Sequence, residues 1–254
     1  MKSGIKSCMV CWGMRKDNFF SILPDFLTFI YKPNSDKVSG SFGRKILKLL
    51  FLFLIVLIAR ITLSFMNGFF ISSPLKEDIN HPDFVFLLLS CSLIPIIEEI
   101  AFRLPLLFSP RNVSLSSGVV SFYLINRLFT LESQFDTGNY FFLRIVMSIM
   151  MGGIVWMISN RYSNNIKPFY GRSLGLIVYI YSLIFAAMHI GNYDLNSNIL
   201  LAYLLLTIPH FISALMYSFA RLKYGFSYSV VLHIVNNSIP AVFFAVSEII
   251  RDVI

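Results

Sequence analysis

The stretch "ILKLLFLFLIVLIARITLSF", from Ile46 to Phe65, is twenty residues of almost unbroken apolar sequence. It matches the hydrocarbon core of a bilayer, which is about 30 Å thick and is crossed by a helix of about 20 residues. Lipid offers the backbone no hydrogen-bond partner, so only a helix or a closed barrel satisfies its N–H and C=O groups there. Further apolar stretches follow, and the candidate spans are 46–71, 84–108, 114–130, 140–159, 173–190, 198–220 and 227–250. Polar segments such as "SSPLKEDINHPD" and "NRYSNNIKPFYGR" separate them. The chain therefore reads as all-α and polytopic, with about seven transmembrane helices and a range of six to eight. Composition agrees, with 56% hydrophobic residues, 13% charged residues and a mean hydropathy of +0.72. A soluble domain is usually about 45–50% apolar and about 25% charged.

The formal net charge of +8 suggests nucleic acid only in a soluble context. Here the basic residues lie mainly between the apolar runs, where they set orientation. Segments 1–48, 109–113, 160–172 and 221–226 hold nine, one, three and two Lys/Arg, fifteen in all. The alternate segments hold only Lys76 and Arg251, which predicts a cytoplasmic N-terminus and an outward C-terminus. No nucleic-acid motif is present, and the expected partners are the bilayer and a membrane-associated substrate.

Residues 1–45 read as a basic cytoplasmic arm ahead of a membrane domain over 46–254. Within the arm, "NFFSILPDFLTFIY" (Asn18 to Tyr31) is too short to span and reads as an interfacial helix. Cys8 and Cys11 form one isolated C-x-x-C, read as a reduced pair, and Cys91 reads as a small packed hydrophobe. No cleavable signal segment is expected, since the first run long enough to insert begins near Ile46.

Charges inside the apolar runs demand a reason. "IPIIEEIAFRLPLLF" (Ile94 to Phe108) places Glu98, Glu99 and Arg103 in the second run. A charge at the centre of a membrane helix costs about 2.5–3.5 kcal/mol on insertion scales and usually marks function. Arg103 follows Glu99 by one helical turn, so the two can pair. Glu98 points about 100° away and has no local partner. His189 ends the fifth run in "FAAMH", four residues after Phe185. His233 and Asn237 lie on one face of the last run in "HIVNN". Each has an ordinary structural reading: a salt bridge, an interfacial histidine, an interhelical hydrogen bond. His210 after Pro209 reads as structural, and Arg60 receives no chemical role. Together, a carboxylate, two imidazoles and a carboxamide can activate water, move its proton and stabilise an oxyanion. The span limits put His189 and His233 at opposite ends of their helices, so convergence requires tilted or broken helices.

The ordered set E-E-x-x-x-R (Glu98, Glu99, Arg103), F-x-x-x-H (Phe185, His189) and H-x-x-x-N (His233, Asn237) resembles the CPBP family, the CAAX proteases and bacteriocin-processing enzymes. The resemblance covers about residues 84–245 and implies an intramembrane glutamate-type endopeptidase without a metal cofactor. It implies that Glu98 and His189 activate water and that His233 and Asn237 form the oxyanion site. It gives Glu99 and Arg103 an orienting part, with Phe185 as structural support. Two departures stand out. Roughly ninety residues separate the glutamates from His189, and Leu104 stands where the family commonly has glycine. The substrate it implies is a peptide or a lipidated protein. Three other readings remain open: a non-catalytic scaffold binding membrane proteins, a proton-coupled transporter, and a zinc hydrolase built on the same histidines and glutamate. No H-E-x-x-H occurs, and no internal repeat supports a transporter.

Overall fold

The computed structural model describes residues 19–70, 84–129, 140–192 and 199–253. Cys8 and Cys11, and most of the outer loops used in the charge comparison, lie outside them. The described residues form helices α1 (Ile22–Tyr31), α2 (Phe42–Phe70), α3 (Phe84–Cys91), α4 (Leu93–Phe102), α5 (Pro110–Phe129), α6 (Phe141–Arg161), α7 (Ser163–Arg172), α8 (Leu174–Met188), α9 (Ile199–Lys223) and α10 (Phe226–Val253). Short 3₁₀ turns occupy Phe19–Ser21, Leu104–Leu106 and His189–Asn192, and there is no strand among the described residues.

Helices α2 and α6 are apolar toward the outside and selective about what they turn inward. Along α2, Leu49, Leu52, Phe53 and Val56 are buried at helical spacing, while Leu50, Leu54, Ile58 and Ile61 are exposed. A helix apolar all round suits contact with both protein and lipid. In α6 the usual order is inverted. Its outer surface carries Ile149, Met150, Trp156 and Met157, and its buried residues are Arg144, Ser148, Gly152 and Ser159. The small residues bring α5 and α6 together. A Cβ built on Gly118 would lie 3.3 Å from the Ser148 carbonyl oxygen, and one on Gly152 would lie 3.3 Å from that of Ser114. Ser114 also donates to the Gly152 carbonyl at 2.9 Å. α9 is the central post, with every residue from Ser213 to Leu222 buried. It packs on α8, α10 and α2.

Among the described residues, three helical segments are long and apolar enough to cross a membrane: Phe42–Phe65, Phe141–Arg161 and Leu205–Lys223. The pair α7 and α8, bent by 81°, raises the number to four if it is counted as one span. A polytopic membrane protein fits these helices. The other candidate runs differ from uniform spans for visible reasons. The second is cut into α3 and α4, because Pro95 lacks an N–H and its ring clashes with the carbonyl of Cys91. The third, α5, carries four serines, two asparagines and two arginines. The fifth, α8, has 15 residues and rises only about 22 Å.

The N-terminal segment makes its own contacts with the helices that follow. Ile22, Phe26 and Phe29 of α1 are buried, and Phe26 and Phe29 meet Phe219 of α9 edge-on at 5.5 and 5.3 Å. The Tyr179 hydroxyl donates to the Ile30 carbonyl, and the Lys223 ammonium donates to Asn34. Val38 N–H donates to the Lys223 carbonyl at 3.0 Å. Residues 22–38 thus pack against α8 and α9. An apolar stripe at helical spacing serves a protein groove as well as a bilayer surface, so the sequence does not distinguish them. Gly225, at φ +136°, closes the turn from α9 to α10, a backbone region that favours glycine.

Candidate active site

The site is built around α4, a ten-residue helix with Pro95 in its first turn and Pro105 just beyond its end. Pro95 ends α3, and Pro105 prevents α4 from continuing. The carbonyls these breaks release are taken up by side chains. The Ser90 carbonyl accepts from Asn237 Nδ2 at 3.0 Å. The Ala101 carbonyl accepts from Ser116 Oγ at 2.6 Å. The Arg103 carbonyl accepts from Arg221 Nε at 3.1 Å, a cationic cap on a helix C-terminus. The short helix is therefore fixed at both ends, and Glu98 and Glu99 sit near its middle.

Glu99 is fully buried and saturated. Its Oε1 lies 3.6 Å from Arg103 Nε and 3.0 Å from His233 Nδ1, and its Oε2 accepts from Ser229. Arg103 is as buried, with its Cζ 4.1 Å from the Phe185 ring centroid. The expected i,i+4 pair is thus in place, and a cation–π contact backs it. Glu98 keeps 15% of its side chain exposed, and its Oε2 lies 3.3 Å from His233 Nε2.

His233 consequently stands between two carboxylates, one at each ring nitrogen. A neutral imidazole carries one N–H, so one of these contacts would set a lone pair against a lone pair. The ring is held flat against Tyr217, at 4.5 Å between centroids and 21° between planes.

His189 lies at the end of α8, next to the same group. Its Nδ1 is 2.8 Å from the Phe185 carbonyl oxygen. A carbonyl only accepts, so Nδ1 carries the hydrogen, and in the neutral ring Nε2 holds a lone pair. The Phe185 ring lies 4.6 Å from His189 and 5.6 Å from His233, which makes Phe185 the spacer between the imidazoles. The shortness of α8 and the turn at its end bring His189 level with His233, so the conflict over depth is resolved by a broken helix.

Asn237 has a partner on each side of its carboxamide. Nδ2 donates to the Ser90 carbonyl, and Oδ1 accepts from Asn236 Nδ2 at 3.1 Å. Its amide ties α10 to the break in α3, and no contact with His233 accompanies it among the described residues. The predicted residues Glu98, Glu99, Arg103, Phe185, His189 and His233 thus form one contiguous cluster, with Asn237 one helical turn beyond His233.

Four participants carry weight that the sequence did not assign to them. Ser229 lies four residues before His233 on the same face of α10, a spacing that could have been read. Tyr217 lies under the His233 ring, and no spacing in the sequence pairs α9 with α10 there. His210 stacks on His189 at 4.3 Å. Arg60 donates to Asn236 Oδ1. Among the described residues, no three His, Cys, Asp or Glu side chains meet at metal-ligand spacing. Comparison of the chain with protein-family models, with curated proteins and with solved structures found no match in any of the three.

Proposed function

We propose that the chain is a membrane-embedded endopeptidase of the CPBP type, cleaving a peptide or lipidated protein by glutamate-activated water. The observation that carries this reading is His233 held between Glu98 and Glu99, with Glu99 saturated and Glu98 partly open. Buried carboxylates and imidazoles in an apolar protein are a functional site by default. Their pairing here sorts them into a fixed member and a reactive one.

In the proposed reaction, Glu98 and the lone pair of His189 Nε2 orient a water molecule. Its oxygen attacks the scissile carbonyl carbon, and Glu98 takes its proton. His233, as the imidazolium, donates from Nε2 to the oxygen that develops negative charge. On collapse the C–N bond breaks, and the proton on Glu98 passes to the leaving nitrogen. Glu99 keeps the His233 ring oriented, as a buried carboxylate orients the base of a catalytic triad. Arg103 and Ser229 hold Glu99. Asn237 positions α10 against α3, and its second amide hydrogen is available to the same oxyanion. Both His233 nitrogens and His189 Nδ1 are engaged by protein groups, which favours chemistry carried by the side chains alone. The finer topology belongs to the same proposal: seven crossings, a cytoplasmic N-terminus and an outward C-terminus.

The test uses purified protein in nanodiscs, a quenched fluorescent peptide library and isotope-labelled water. Wild type is expected to release fragments whose new carboxyl group carries one labelled oxygen. Glu98→Gln is expected to be slower by about 10²–10⁴-fold. A chelator is expected to leave the rate unchanged. Equal rates for wild type and Glu98→Gln would overturn the proposal. Activity lost to a chelator and restored by zinc would transfer the same residues to a metal mechanism.

A further inference from the structure

Helix α7 takes no part in the candidate site, and none of its residues is buried. It joins α6 to α8 and meets α8 at 81° across Ser173. It packs on these two neighbours, and Tyr170 sets its ring 5.2 Å from that of Phe108. A helix set almost at right angles to an apolar neighbour that stands in the bilayer runs along the bilayer surface. At about 100° per residue, Ile166, Phe169 and Tyr170 fall on one side of α7, and Asn164, Lys167 and Arg172 fall on the other. That is the division of a helix lying in an interface. Ile166 and Tyr170 are half-buried against the protein, whereas Phe169 is 57% exposed.

The charge of this segment has one sign. Arg161, Lys167 and Arg172 are all exposed, and the sequence holds no Asp or Glu from Thr137 to Tyr193. No carboxylate among the described residues pairs with the three cations. The Arg161 Cζ lies 5.9 Å from the ring of Tyr162, which is itself 50% exposed. Arg172 Nε donates to the Pro168 carbonyl at 3.4 Å, which leaves its Nη groups for another acceptor. Exposed aromatic rings beside exposed cations call for a partner that is apolar at one level and anionic at the next.

We propose that α7, together with Arg161, is a docking surface for anionic phospholipid headgroups. Phe169 and Tyr162 enter the acyl boundary, and the three cations take the phosphate oxygens beside it. A guanidinium fork binds two phosphate oxygens at once, and the Lys167 ammonium acts as a point charge. A zwitterionic headgroup brings its own ammonium and offsets much of that attraction. A soluble acidic partner would satisfy the cations and leave the rings in water, whereas lipid engages both. Each Lys or Arg near an anionic surface strengthens such a contact about fivefold. The surface is independent of the endopeptidase reading.

Trp156 provides the readout. It is 49% exposed on α6, five residues before Arg161, and the sequence has one other tryptophan, Trp12. The full chain carrying Trp12→Phe is placed in phosphatidylcholine nanodiscs. These contain acyl-brominated phosphatidylglycerol or, in parallel, acyl-brominated phosphatidylcholine at the same mole fraction. Quenching of Trp156 gives the relative affinity for the two lipids, and phosphatidylglycerol is expected to be preferred at least about fivefold. Arg161→Gln, Lys167→Gln and Arg172→Gln should each lower the preference, and the three together should abolish it. Arg161→Lys and Arg172→Lys should retain it. Thermal unfolding, and unchanged quenching by the brominated phosphatidylcholine, check that each variant is folded. Equal quenching by the two lipids, or a preference that survives the triple substitution, would overturn the proposal. So would a preference abolished by free glycerol phosphate, which would assign the cations to a soluble anion. Shielding of Trp156 from both lipids, with cross-linking between copies through Phe169→Cys, would give the face to a second chain and overturn it as well.

Discussion

Glu98 and Glu99 are neighbours in sequence, yet they occupy different physical states. The Glu99 carboxylate has no exposed surface and three contacts to three partners, whereas Glu98 has one contact and some access. Their substitution should therefore separate stability from turnover. Glu99→Gln or Arg103→Ala breaks a buried pair and should cost about 3–5 kcal/mol, read as a lower unfolding midpoint and less folded protein. Ser229→Ala removes a hydrogen bond to a charged acceptor and should cost about 1.5–3 kcal/mol. Glu98→Gln should unfold like wild type. If it unfolds as readily as Glu99→Gln, the two carboxylates share one structural role. Asn237 belongs between these cases. Asn237→Ala should lower kcat by about 10²–10³-fold, as loss of an oxyanion donor does. It should also cost about 0.6–1.7 kcal/mol of stability through its bond to the Ser90 carbonyl. A fall in kcat with an unchanged unfolding midpoint would leave Asn237 a purely chemical part.

At the level of elements, α4 is positioned by interruption. Two prolines stop the neighbouring helices, and side chains from α5, α9 and α10 take the carbonyls left over. Close approach of α5 and α6 then supplies a rigid flank. The glycines of α6 offer a contrast within one helix. A Cβ on Gly152 meets the backbone of Ser114 at 3.3 Å, whereas one on Gly153 meets nothing within 4 Å. Gly152→Ala must push two backbones apart and should cost about 1–3 kcal/mol. Gly153→Ala should be neutral or stabilise by about 0.5–1 kcal/mol through helix propensity. Steric-trapping or thermal unfolding in detergent reads the difference, and equal effects would mean that α5 and α6 do not pack through Gly152.

For the whole molecule, the number of bilayer crossings sets the side on which each terminus lies. The apolar runs and loop charges point to seven crossings, while length and apolarity alone mark three segments among the described residues, or four with the bent pair. Reporter fusions after Ser163 and after Ile254 should give opposite signals. The same signal from both would change the count of intervening crossings by an odd number and move the C-terminus to the other side. The N-terminal segment bears on this question too. Because α1 is bound to α8 and α9 through Tyr179 and Phe219, residues 19–41 are placed by protein contacts as well as by charge.

By itself the sequence determined that this protein is helical and built for a membrane. Apolar runs as long as Ile46–Phe65 leave the backbone no other way to satisfy its polar groups. It also singled out Glu98, Glu99, His189 and His233, because charge and imidazole inside such runs are costly and must be explained. The i,i+4 pairing of Glu99 with Arg103 was readable, since helical period is local. Other features depended on contacts between distant segments. Nothing in the spacing of "HIVNN" says that His233 reaches both glutamates, or that Asn237 turns to the Ser90 carbonyl. The stacking of Tyr217 under His233 and of His210 on His189 joins residues from separate helices. The hydrogen bond from Arg60 to Asn236 spans even more of the chain. Periodicity fixes which face of a helix a residue occupies, whereas the tilt, the breaks at Pro95 and Pro105 and the short α8 decide which faces meet.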